Sequence, residues 1–116
     1  MNLRAYAKGK LCTIRENGIC NADPLTTVLA HWRQVDISGA GLKASDLLAA
    51  FACSACHDYV DGRTHKNIAR EVRELAHLRG IMRTQEWLLQ HGMVSLKGER
   101  VPVIERLPKI VPRRMA

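Results

Sequence analysis

A chain of 116 residues, 47% apolar and 25% charged, has room for one domain around one small core, and this composition excludes an intrinsically disordered polymer. No apolar run approaches the length that crosses a bilayer, and residues 1–12 lack the apolar stretch of a secretory signal, so the expectation is a cytoplasmic protein with no membrane partner. A net charge of +7 points to a polyanionic partner, and the scarcity of aromatic residues favours a metal staple over a large aromatic core.

Residues 1–11, with Arg4, Lys8 and Lys10, read as a basic arm leading to Cys12. Between Cys12 and Cys20 the Asn17-Gly18 pair is a hairpin signal, so the two thiols flank one turn. After the polar turn at Asn21 to Pro24, the β-branched and apolar run from Thr26 to Trp32 predicts a strand ending at His31. The Gly-containing loop Ser38-Gly39-Ala40-Gly41 follows. Ser45-Asp46 then caps or enters the apolar run Leu47 to Ala52, whose composition fits either a strand or a helix.

That run delivers the chain to Cys53-Ser54-Ala55-Cys56-His57-Asp58-Tyr59-Val60-Asp61. Four cysteines in a reducing compartment are metal ligands or inert core thiols rather than a disulfide framework, and the Cys-x2-Cys spacing favours metal. Cys12, Cys20, Cys53 and Cys56 would close a tetrahedral structural zinc and leave no open position for catalysis. A helix from Cys56 to about Gly62 or Arg63 puts His57 and Asp61 one turn apart on one face, where they would share a second ion such as Mg2+, Mn2+ or Zn2+. His65 reaches the same place from the following turn. The alternatives are that His57 replaces a cysteine on the zinc, that Asp61 only caps the helix or pairs with Arg63, and that His31 is a packed core histidine.

Further along, Ile68, Val72, Leu75, Leu78, Met82 and Leu89 recur at helical spacing, which predicts an amphipathic helix over 67–90 stopped at Gly92. This helix reads as scaffold, with His77 and His91 outside the chemistry and Trp32 and Trp87 as core aromatics. Prolines beyond Gly92 confine any strand to an edge. Residues 1–95 form the expected domain. Residues 96–116 form a basic tail in which Lys97, Arg100, Arg106, Lys109, Arg113 and Arg114 face a nucleic acid, unless the tail only aids solubility.

Hydrolysis of a phosphodiester needs a base for water, a cation for the phosphate charge and help for the leaving oxygen. His31, with an imidazole suited to proton abstraction near neutral pH, is the expected general base, while His57 and Asp61 hold the ion.

Leu29-Ala30-His31, Gly39-Ala40-Gly41-Leu42-Lys43, Asp46-Leu47 and Ala52-Cys53-Ser54-Ala55-Cys56-His57-Asp58 resemble the HNH nucleases and, more closely, the small YbcO-type proteins of lambdoid prophages, a family classed with the nucleases. The resemblance covers about residues 3–92. It implies a ββα-metal fold, His31 as general base, His57 as first helical ligand and Asp61 at the position often held by a second histidine. Asp46 is the nearest counterpart of the middle Asn. Ala30 replaces an Asp or His that also binds the ion in many relatives, a position that Asp46, His65, water or substrate would fill.

The expectation is therefore a small α+β, zinc-stapled ββα-metal domain followed by a long amphipathic helix. It would act as a phage-encoded, metal-dependent endonuclease on DNA, with the helix offering a face for a homo-oligomer. The alternatives are a non-catalytic zinc-stabilised DNA-binding module and an interaction protein in which zinc only supports the fold.

Overall fold

The computed structural model describes residues 2–33 and 44–98. Helix α1 (Leu3–Ala7) opens the fold, and strand β1 (Val28–His31) pairs antiparallel with β2 (Ala49–Ala52) in the register Leu29 opposite Phe51 and His31 opposite Ala49. Helix α2 (Ser54–Val60) follows β2 after one residue, and α3 (Arg70–Gln90) packs against β2. The architecture is α+β, with a two-stranded sheet and a long C-terminal helix.

The pleat divides the core. Leu29 and Phe51 pack on one face with Ala7, Ala49 and Leu88, whereas Ala30, Ala50 and Ala52 face Ile14, Tyr59, Ile81 and the cysteines on the other. Strand β2 is buried throughout because both of its faces pack into core, and both of its edges are covered as well. β1 lies along one edge. On the other, the Phe51 N–H donates to Thr84 Oγ1 at 3.1 Å, and the Phe51 carbonyl accepts from the Thr13 N–H at 2.7 Å and the Thr13 hydroxyl at 2.9 Å. Thr13 and Thr84 therefore satisfy the Phe51 N–H and carbonyl on that edge, buried backbone groups that would otherwise be unpaired.

Helix α3 corrects the expected burial pattern. Its buried face is Ala76, His77, Gly80, Ile81, Thr84 and Leu88, whereas Val72, Leu75, Leu78 and Met82 of the apolar series are exposed. The reason is close approach. A Cβ on Gly80 would stand 2.6 Å from Ile14 Cγ1 and 3.2 Å from Ala50 Cβ, so small residues mark the inward face. The helix also begins at Arg70 rather than residue 67, while its end at Gln90 matches the expectation.

The expected basic arm contains α1, which is too short to show periodicity; Asn2 Oδ1 caps it by accepting from the Arg4 and Ala5 N–H groups. Asn17-Gly18 forms a turn, with Gly18 at φ +81°, but no flanking strands pair around it. The first strand is shorter than its apolar run because Pro24–Thr26 forms a 3-10 turn, and Leu47 to Ala52 resolves as a strand from Ala49. The loop Ser38-Gly39-Ala40-Gly41 and the tail residues Arg100, Arg106, Lys109, Arg113 and Arg114 lie outside the described residues. Lys97 sits in an exposed turn with Gly98. Among the described residues, no helix is long and apolar enough to cross a membrane.

Candidate metal centre and candidate active site

Cys12, Cys20, Cys53 and Cys56 converge from two distant parts of the chain. All four are buried and free of disulfides, and their sulfurs lie within 4.8 Å of one another. Cys12 and Cys20 flank the turn at Gly18, while Cys53 and Cys56 open α2, where Cys53 Sγ accepts from the Cys56 N–H at 3.4 Å and the Asn21 N–H at 3.5 Å. The Arg15 N–H donates to Cys12 Sγ at 3.4 Å, and Arg15 adopts φ 49° to make that turn. From α3, Arg83 Nη1 donates to the Thr13 and Ile14 carbonyls and pins the same loop.

The donor set fits a tetrahedral thiolate site. Sulfurs bound to one zinc stand roughly 3.8 Å apart, given a Zn–S distance of about 2.3 Å, and Cys53 Sγ is 3.8 Å from Cys20 Sγ. Contact with the Cys20 sulfur brings the Cys12 thiol down to about 7, whereas contact with Cys12 pushes the Cys20 and Cys56 thiols up and pulls Cys53 down. Four crowded thiols cannot all ionise unaided. A bound dication would relieve that conflict.

His31 closes β1, half-buried, with Nε2 2.7 Å from Asp46 Oδ1 on the turn before β2. An ionised carboxylate only accepts, so in this pair Nε2 is the donor, and in the neutral ring Nδ1 is then the nitrogen with the lone pair. The structure therefore brings Asp46 to the His31 ring rather than to the His57–Asp61 pair.

On α2, His57 Nε2 lies 3.2 Å from Asp61 Oδ2, the one-turn pairing expected from the spacing. Asp61 also does what the plainer alternatives foresaw. It stands at the C-cap of α2 and accepts from Arg63 Nη2 at 3.0 Å; in addition Arg33 Nε approaches it at 3.5 Å. Arg33 lies two residues beyond His31, so this ion pair joins the exit of β1 to the end of α2. Among the described residues, only the four cysteines bring three or more metal-ligating side chains within reach of one ion. His65, exposed and in contact with Tyr59 edge-on, is not in that group.

A cleft of about 320 Å³ opens beside the Arg33–Asp61 pair, lined among others by Trp32, Arg73, Glu74 and His77. His77, expected on the long helix and outside the chemistry, is one of the residues that line this cleft. Buried on the inner face of α3, it donates from Nε2 to the Ala30 carbonyl at 2.9 Å and its ring packs on Trp32. Burial holds its pKa below 6.5, partly offset by the bond to Ala30. The signal available in sequence was its i+3 relation to Gly80, on the small-residue face rather than the apolar series. His91 stacks on Trp87 at 3.7 Å, far along α3.

Comparison with known proteins gives a consistent match. A family profile described as "Putative nuclease YbcO" matches residues 1–93. Two relatives carrying that name, from Escherichia coli (strain K12) and Enterobacteria phage 82, are each 46% identical over 94 residues, covering 81% of this chain and 97% of theirs. A solved structure described as a putative bacteriophage protein from Escherichia coli K-12 superposes with a TM-score of 0.65 at 40% identity, covering 78% of this chain and all of that one.

Proposed function

The chain belongs to the YbcO family, and from that premise we propose that it is a metal-dependent endonuclease of the HNH, ββα-metal type that hydrolyses DNA phosphodiester bonds. The observation that carries this reading is the His31–Asp46 pair at 2.7 Å, which leaves one imidazole nitrogen free to take a proton from water. Antiparallel β1 and β2 followed directly by α2 supply the ββα order.

In this reading the residues divide the work. His31 Nδ1 accepts a proton from the attacking water, and Asp46 fixes the ring and stabilises the imidazolium. His57 and Asp61 would hold a divalent ion such as Mg2+, Mn2+ or Zn2+, with Asp46, His65, water or substrate completing its ligands. When bound, that ion supplies charge stabilisation at the phosphate. Cys12, Cys20, Cys53 and Cys56 would hold a structural zinc, which would tie the loop around Cys12 to the start of α2 and so support the position of His57.

Residues 1–95 would be the nuclease domain. Residues 96–116, with Lys97, Arg100, Arg106, Lys109, Arg113 and Arg114, would add electrostatic attraction to DNA. A specific observation favours a second reading: Arg33 and Arg63 both contact Asp61, so the carboxylate offered to an ion is already neutralised. A DNA-binding module without cleavage would keep that arrangement. Plasmid nicking by zinc-reconstituted protein, with Mg2+, Mn2+ or Ni2+ added separately, decides between them. Cleavage with any of these ions supports the nuclease; DNA binding without cleavage supports the module.

A further inference from the structure

We propose that the cleft between the exit of β1, the end of α2 and the first turns of α3 is a phosphate-binding subsite centred on Arg73, which takes a phosphodiester of the bound strand beside the one that is cut. The inference rests on the nucleic-acid reading above.

Five charged side chains line this cleft: Arg33, Arg70, Arg73, Asp61 and Glu74. The carboxylates are already matched, Asp61 with Arg33 at 3.5 Å and Glu74 with Arg70 at 3.1 Å. Arg73 forms no ion pair among the described residues, and its buried Nε has no hydrogen-bond partner. The surplus positive charge of the cleft therefore sits on Arg73. Buried His77, held neutral by desolvation, adds none.

The guanidinium is also seated. Gly62, at φ +78°, lies directly beneath it, and a Cβ there would come within 2.7 Å of Arg73 Nη1. A glycine at this point both turns the chain after α2 and leaves room for the planar group. A guanidinium that lines a polar cleft without an ion pair among the described residues matches the oxygens of a phosphate, which accept two parallel N–H bonds. A carboxylate ligand would offer the same oxygens with less charge. The neighbouring Asp61 pairs with His57, and Arg33 follows His31 by two residues, so a phosphate held here lies along the same surface as the proposed catalytic groups.

The test is DNA affinity measured by fluorescence anisotropy over a range of salt concentrations, on full-length zinc-loaded protein with no second divalent ion added. Matched oligonucleotides with and without a 5′-phosphate are compared. Arg73→Gln is expected to weaken binding several-fold and to reduce the slope of log K against log salt by about 0.9 on duplex or about 0.7 on single strands, equally for both oligonucleotides. An effect confined to the 5′-phosphorylated strand would overturn the assignment to an internal phosphodiester. In the wild type, the Arg73 Nε–Hε NMR signal, identified with Arg73→Lys, should shift when the unphosphorylated oligonucleotide is added. That readout stands even where Arg73→Gln fails to fold. DNA bound with the Arg73 signal unmoved, an unchanged salt slope in the variant, or no DNA binding by wild type would each overturn the subsite. Arg73-dependent binding without cleavage under any ion would instead retain the subsite and remove the nuclease.

Discussion

His31 Nε2 and Asp46 Oδ1 meet at 2.7 Å although they are fifteen positions apart, one at the end of β1 and the other on the turn before β2. The carboxylate is the more exposed partner, so its replacement should disturb the ring more than the fold. Asp46→Asn is expected to lower cleavage at least ~10-fold, because an amide can donate to Nε2 and stabilise the wrong tautomer. Melting temperature and zinc content should stay at wild-type values. Single-turnover cleavage with parallel thermal melts checks this.

The cysteine cluster makes a stronger demand on folding. Cys53 accepts from two backbone N–H groups and touches the Cys20 sulfur, so Cys53→Ser is expected to abolish stoichiometric zinc binding and with it the cooperative thermal transition. Metal analysis and circular dichroism measure both. Treatment of wild type with a strong chelator should give the same loss, reversible on adding zinc.

Gly80 supplies a case where an ordinary rule should reverse. Gly→Ala inside a helix normally stabilises by about 1 kcal/mol. Here the new methyl would stand 2.6 Å from buried Ile14 Cγ1 and 3.2 Å from the Ile14 Cα, so Gly80→Ala is expected to destabilise by about 1–2 kcal/mol. Chemical denaturation of the zinc-loaded protein checks the sign.

His77 makes stability depend on pH. Desolvation lowers its folded pKa below the ordinary 6.5, so above that pH the ring is neutral in both states and contributes no slope. As pH falls below 6.5, the unfolded chain takes up the proton first and stability drops until the folded pKa is reached. His77→Gln, which keeps a donor for the Ala30 carbonyl, is expected to remove this component. The difference between wild type and variant should then change by up to ~1.4 kcal/mol per pH unit within that window. Comparing the two proteins cancels the acid sensitivity of the thiols that they share.

Local chemistry made part of this arrangement readable. The Cys-x2-Cys pair, the strand ending at His31 and the one-turn spacing of His57 and Asp61 all follow from short-range geometry, and the structure has each of them. The orientation of α3 was not readable, because the helix buries glycine, alanine and threonine where backbones approach closely while its larger apolar side chains face outward. Hydrophobic periodicity reports where apolar residues lie, and here that is not where the contact is. Arg33 on Asp61 and His77 on Ala30 join segments 28 and 47 residues apart, and nothing in their own sequence neighbourhoods signals either partner. Arg73 in its cleft is equally a product of tertiary placement.

The measurement that bears most directly on the central claim is single-turnover cleavage of supercoiled plasmid by wild type and His31→Ala, matched for zinc content and melting temperature, with the divalent ion that best supports nicking. A fall of ~10²–10⁴-fold in the variant is predicted from loss of a general base. Equal rates in the two proteins, or no cleavage by wild type with any ion, would contradict the account.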